Sequence, residues 1–128
     1  MFRIGKTFAF AAAHHLPGLP EGHKCARPHG HTWGVEVVVQ DAGLRGPGFV
    51  TDFGDLRPLG EYIAARLDHR DLNEVLEFPP TSERIARHLA EWFIANVEPV
   101  IGGRLVSVKV SEGRASWASY SPGHEAVS

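Results

Sequence analysis

At the start of the chain apolar residues fall on even positions: Phe2, Ile4, Phe8 and Phe10 alternate with polar or small neighbours in "FRIGKTFAF". A period of two predicts a strand with one buried face. The stretch "TWGVEVVVQ", Thr32 to Gln40, is rich in β-branched residues and predicts a second strand, ended by the turn-forming "DAGLRGPG". These two strands are expected to pair antiparallel. The period then changes. In "VTDFGDLRPLGEYIAARLDH" Leu56, Leu59, Ile63 and Leu67 recur at three and four, which predicts a helix. Pro58 falls in its first turn, where proline is tolerated, and Gly60 lies inside it. A second helix is predicted over "PPTSERIARHLAEWFIANV", opened by prolines and a Thr81/Ser82 cap, with Ile85, Leu89, Trp92 and Phe93 on a core-facing side. Beyond "IGG", the segment "RLVSVKVSE" alternates Leu105, Ser107 and Lys109 with three valines, and "ASWASYS" follows Gly113 as a short partner strand. The order strand-strand, helix-helix, strand-strand carries no repeat, linker or low-complexity segment. It reads as one α+β domain over residues 1–128, a four-stranded antiparallel sheet with two main helices on one face. Such a sheet leaves two edges, which are candidates for pairing with another subunit.

Composition narrows the class. The chain has 128 residues, 43% hydrophobic and 22% charged, ordinary values for a folded globular unit. A formal net charge of -2 with no dense Lys/Arg run offers no footprint for a phosphate backbone, so nucleic acid is not an expected partner. The single cysteine cannot form an internal disulfide, which fits a reducing compartment. "FAFAAA" imitates a signal peptide, but its apolar run is shorter than the roughly 7–15 residues such a region needs and two histidines follow at once. No stretch approaches the roughly 20 apolar residues of a membrane span. A cytoplasmic protein is expected.

The chemistry concentrates in two places. In "CARPHGH" His29 and His31 are two apart, so on a strand both imidazoles project to one face and can reach one metal ion. A third ligand comes from "HH" at the end of the first strand. Parity selects His14, which keeps the even register of Phe8, Phe10 and Ala12, over His15, although one bulge would exchange them. Three neutral imidazoles with a free fourth position form an open zinc site of the catalytic type. Cys25 can be read in two ways. It could close that site as Cys-His₃, or, in a loop carrying the cations Lys24 and Arg27, it could stand nearby as a reactive thiolate and general base. His23 reads as a solvated or hydrogen-bonding histidine, and no role is assigned to His88, on the polar side of the second helix, or to His124 in the tail. "LDHRDLN" places Asp68 beside His69. The pair works as a carboxylate-oriented imidazole only if the helix has already ended, and an equally good reading is a helix C-terminus answering the macrodipole. Glu83 and Glu112 are ordinary carboxylates when taken alone.

Taken together, "FAFAAAHHLP", "EGHKCARPHGH", "VTDFGDL", "LDHRDLN", "PPTSERIA" and "VSEG" resemble, in order and spacing, the 6-pyruvoyltetrahydropterin synthase and 6-carboxytetrahydropterin synthase group of the tunnelling (T) fold. The resemblance implies that His14, His29 and His31 bind one Zn²⁺ per subunit, that Cys25 is the thiolate base, and that Asp68 with His69 is the partner proton relay. It implies that Glu112 anchors the pterin ring, with Thr81, Ser82 and Glu83 beside it. Only Ala26, Arg27 and Pro28 separate Cys25 from H-G-H, as in bacterial carboxy synthases, whereas the animal-type pyruvoyl enzymes have a longer, asparagine-rich stretch. His15 stands where the family commonly has arginine. The implied activity is a lyase conversion of 7,8-dihydroneopterin triphosphate to 6-carboxy-5,6,7,8-tetrahydropterin, acetaldehyde and triphosphate, in the queuosine and 7-deazapurine pathway. The implied assembly is a homohexamer of two stacked trimers whose sheets continue into a barrel, with active sites at subunit interfaces. Alternatives are the sister activity that stops at 6-pyruvoyltetrahydropterin, a relative with relaxed choice such as sepiapterin, and a non-catalytic zinc-stabilised module.

Overall fold

The computed structural model describes residues 1–123, so His124 lies outside the described residues. Strand β1 (Phe2–His14) and strand β2 (His29–Asp41) pair antiparallel along their whole lengths, from Phe2 opposite Asp41 to His14 opposite His29. Burial along β1 alternates as its sequence requires, with Phe10, Ala12 and His14 inward. A 3₁₀ turn at Phe53–Leu56, capped by Asp52 Oδ1 accepting Gly54 N–H at 2.8 Å, leads into helix α1 (Arg57–Arg66) with Pro58 in its first turn. After α1 come strand β3 (Arg70–Asp71) and the single-turn helix α2 (Leu72–Val75). Helix α3 (Ser82–Asn96) starts where Thr81 Oγ1 accepts Arg84 N–H at 3.1 Å. Strands β4 (Arg104–Glu112) and β5 (Ser116–Tyr120) close the chain as the expected hairpin.

The sheet corrects one expectation. It has five strands in the order β3-β1-β2-β4-β5, and β3 runs parallel to β1, pairing Ala12 with Arg70 and Ala13 with Asp71. Two residues are too few to write an alternating pattern into the sequence. Backbone groups left open along the end of β1 recruit β3, and side-chain periodicity has no part in it.

One core lies between the sheet and the helices. Trp33, Val35, Val37 and Val39 of β2 and Val108 and Val110 of β4 meet Leu59 and Ile63 of α1 and Ile85, Leu89 and Phe93 of α3, all essentially buried. Each such large side chain contributes about 1.5–3 kcal/mol. Trp92 is only partly buried and stacks on Tyr62, with ring centroids 4.3 Å apart. Gly60, an odd choice inside α1, is explained by packing: a Cβ there would lie 2.6 and 2.7 Å from two ring carbons of Phe8. A Gly→Ala change in a helix interior normally stabilises by about 1 kcal/mol. Gly60→Ala is expected instead to destabilise by about 1–3 kcal/mol, because the Phe8 ring must move. Urea denaturation of the two proteins checks the sign. Among the described residues no helix is long and apolar enough to cross a membrane.

Candidate metal centre and active site

The β1–β2 hairpin brings three histidines to one end of the core-facing sheet surface. His14 is the cross-strand partner of His29, and His31 lies opposite Ala12. Side chains directly opposite on one face stand close together, and here one ligand atom from each of His14, His29 and His31 lies within 4.8 Å of the others. Trp33 is the floor beneath them, edge-on to His14 at 4.8 Å and to His31 at 5.2 Å, with its indole N–H donating to the Ala12 carbonyl at 3.1 Å.

Hydrogen bonds set which ring nitrogen is free. His14 Nδ1–H donates to the Pro80 carbonyl at 2.8 Å and His29 Nδ1–H to the Arg27 carbonyl at 2.7 Å. A carbonyl can only accept, so in both rings Nδ1 carries a proton and Nε2 is the nitrogen left for a metal, the arrangement of a ligand whose other nitrogen is held by an outer partner. His14 Nε2 and His31 Nε2 are buried without hydrogen-bond partners. A Glu112 oxygen lies 3.4 Å from His31 Nε2, outside hydrogen-bond geometry. Burial holds the His14 ring below the usual imidazole range, against the opposing pull of the Pro80 carbonyl, and so keeps it neutral. The unpartnered buried nitrogens of His14 and His31 and the neutral His14 ring fit a bound divalent cation. His15, by contrast, faces away, with its main chain bound at both N–H and C=O by the Asn73 amide at 2.8 and 2.9 Å. Of the two, His14 is the one that joins the cluster, on the face that parity predicts.

His29 and His31 line a pocket of about 720 Å³ together with Lys24, Cys25, Arg27, Glu112 and Ser116. Cys25 is half-buried there and lies outside the clustered ligand set. Glu112 is braced by the buried Ser82, whose hydroxyl donates to Glu112 Oε2 at 2.9 Å. Thr81 uses its oxygen to cap α3, and Glu83 is exposed and faces a different cleft with Phe78, Arg87 and Tyr120.

Asp68 and His69 form a pair, but away from this pocket. The last α1-type bond is Leu67 N–H to Ile63, and His69 then takes a left-handed backbone, φ 59°. The helix has ended, so the neighbouring side chains can meet: His69 Nδ1 is 3.1 Å from Asp68 Oδ1. That carboxylate also accepts Ala11 N–H at 2.9 Å, while His69 N–H donates to the Ala11 carbonyl. The Ala11 N–H is the main reason the Asp68 carboxyl stays below its usual range, partly opposed by burial and reinforced by His69. The stability this adds is present above the unfolded carboxylate value of about 3.9 and is lost as pH falls through the lower folded value. Asp68→Asn keeps an acceptor for Ala11 N–H but removes the charge facing His69. It is expected to fold normally and to lose the acid-side contribution in a pH series of melts. The His69 ring is 82% exposed on its side chain, which leaves it open to a group outside this chain.

A profile described as 6-pyruvoyl tetrahydropterin synthase matches residues 3–123. The chain belongs to the 6-pyruvoyl tetrahydropterin synthase family. Within it, the chain is similar to 6-carboxy-5,6,7,8-tetrahydropterin synthase of Synechocystis sp., 40% identical over 94% of this chain and 93% of the relative. It is also similar to the Bacillus subtilis protein of the same name, 31% identical over 94% and 86% of the two chains. The Caenorhabditis elegans 6-pyruvoyl tetrahydropterin synthase structure superposes with a TM-score of 0.81, covering 95% of this chain and 96% of that one at 23% identity. That likeness establishes the shared T fold.

Sequence reading missed two features. His88 does not sit on a polar side: it is half-buried, hydrogen-bonded to the Tyr62 hydroxyl at 2.7 Å and close to Phe78. Asn73, in the already noted "LDHRDLN", clamps the backbone beside ligand His14. Neither contact has a local signature, since the partners are 26 and 58 residues apart.

Proposed function

We propose that this chain is a single-domain, zinc-dependent 6-carboxytetrahydropterin synthase, a lyase that converts 7,8-dihydroneopterin triphosphate to 6-carboxy-5,6,7,8-tetrahydropterin, acetaldehyde and triphosphate. The observation that carries the reading is the cluster of His14, His29 and His31, two of which line one pocket with a thiol outside the cluster and a braced carboxylate. A closed structural site would have the thiol in the ligand set. The names of the relatives and the short Cys25 to His29 spacing favour the carboxy product over the pyruvoyl one.

His14, His29 and His31 hold the ion, which when bound supplies Lewis acidity to the substrate's side-chain hydroxyls. Glu112, oriented by Ser82, accepts hydrogen bonds from the amino and ring N–H groups of the pterin, with Thr81 and Ser82 at the start of α3 beside the ring, while Glu83 faces the neighbouring cleft. Cys25, which lines the same pocket as His29 and His31, is the base that takes a carbon-bound proton. His69 is the opposing acid/base, and Asp68 holds its ring orientation. Because Asp68 and His69 stand outside the Cys25 pocket, they serve the site of an adjoining copy within a homohexamer, where the free edges β3 and β5 pair between subunits. On this reading the protein works in the cytoplasm and supplies the queuosine and 7-deazapurine pathway.

The test is anaerobic incubation of zinc-loaded protein with 7,8-dihydroneopterin triphosphate, followed by mass spectrometry of the pterin and an acetaldehyde assay. Carboxytetrahydropterin with stoichiometric acetaldehyde is expected. Pyruvoyltetrahydropterin without acetaldehyde would assign the sister activity, and no turnover by the metal-loaded protein would remove the enzymatic reading.

A further inference from the structure

Cys25 is held at both ends of its peptide unit. Its carbonyl accepts Leu16 N–H at 2.8 Å, two residues beyond ligand His14, and its own N–H donates to His23 Nδ1 at 3.0 Å. His23 is the N-cap of the 3₁₀ turn Lys24–Ala26, in extended backbone with φ -68° and ψ 130°. The same residue closes the turn with its main chain: its carbonyl accepts Ala26 N–H at 3.0 Å, and its N–H donates to the Pro20 carbonyl at 3.0 Å. Downstream, the Arg27 carbonyl receives His29 Nδ1–H, so the turn is joined directly to a second ligand.

An N–H can donate to Nδ1 only if the lone pair is there, so the ring proton is on Nε2. N-cap acceptors are usually Ser, Thr, Asp or Asn, whose side-chain oxygen satisfies an orphan N–H of the first turn. The His23 imidazole does the same work for the N–H of the one residue in the turn that carries a thiol. Its ring is exposed and does not line the histidine pocket, so it is not itself placed to reach a substrate there.

We infer that His23 is a positioning residue for Cys25: its Nδ1 locks the turn that presents the thiol to the histidine pocket. The inference rests on the pterin synthase reading for its effect on turnover, but not for its effect on the thiol. Loss of an N-cap acceptor raises the open population of a turn about fivefold.

His23→Ala and His23→Asn test it, each purified with zinc and compared with the unaltered protein for alkylation of Cys25 by iodoacetamide, metal content and steady-state turnover. His23→Ala is expected to keep its metal, to alkylate about fivefold faster because the half-buried Cys25 is exposed when the turn opens, and to show a lower kcat with KM unchanged. His23→Asn, which restores an acceptor for Cys25 N–H, is expected to return both rates to those of the unaltered protein. Unchanged alkylation and kcat in His23→Ala would overturn the inference, as would a His23→Asn variant as impaired as His23→Ala. If the unaltered protein has no turnover while the alkylation pattern holds, the assignment of function falls and the positioning of Cys25 by His23 stands.

Discussion

Cys25→Ala is expected to keep one metal ion per chain and the melting temperature of the unaltered protein while losing turnover by a factor of about 100 to 10,000, the usual share of a positioned proton-transfer group. The argument is geometric. Ring nitrogens of His14, His29 and His31 positioned to hold a metal already cluster within 4.8 Å, and Cys25 lies outside that group, so removing its sulfur takes no ligand from an ion bound there. Nor does the turn depend on the side chain: Cys25 is anchored through its N–H to His23 and its carbonyl to Leu16. Metal analysis, thermal melts and product assay on one preparation decide the matter. Loss of metal together with unfolding would mean that the thiol completes a structural site, and undiminished turnover would remove it from the chemistry.

His14→Ala should produce the largest loss of stability of any change at the site, about 2–4 kcal/mol, together with loss of the metal. His14 is the one ligand fully buried, at 1% exposure. Truncation leaves a cavity against Trp33 and strips the Pro80 carbonyl of its donor. His29→Ala is the control. It removes one ligand from a half-buried position and is expected to abolish metal binding with a smaller change in the metal-free protein. Denaturation of both variants without metal separates the structural role of His14 from its ligand role, and equal stability of the two would overturn it. Chelation of the unaltered protein should lower its melting temperature, because binding to the native state alone stabilises it.

How much of this was legible depended on the range of the interactions. The alternation of Phe8, Phe10 and Ala12 carried enough phase information to place His14 inward and His15 outward, because β1 has no bulge along its pairing with β2. Leu56 to Leu67 predicted α1, yet the first turn is 3₁₀, since i and i+3 apolar spacing suits both helices. The end of α1 was the hard point. Spacing left Asp68 and His69 balanced between helix capping and a relay, and only the backbone reversal at His69 brings the two side chains together. The bracing of Glu112 by Ser82, the Asn73 clamp and the short parallel strand join residues far apart in sequence, where one chain read alone has no phase to follow.

The left-handed backbone at His69 has a consequence for how this protein can change. A side chain at φ 59° is sterically disfavoured, and glycine occupies that conformation without the penalty. Position 69 is thus a place where robustness and chemistry pull apart. A laboratory population selected only for heat resistance would drift toward His69→Gly, while one selected for turnover would keep an imidazole there at the expense of folding free energy.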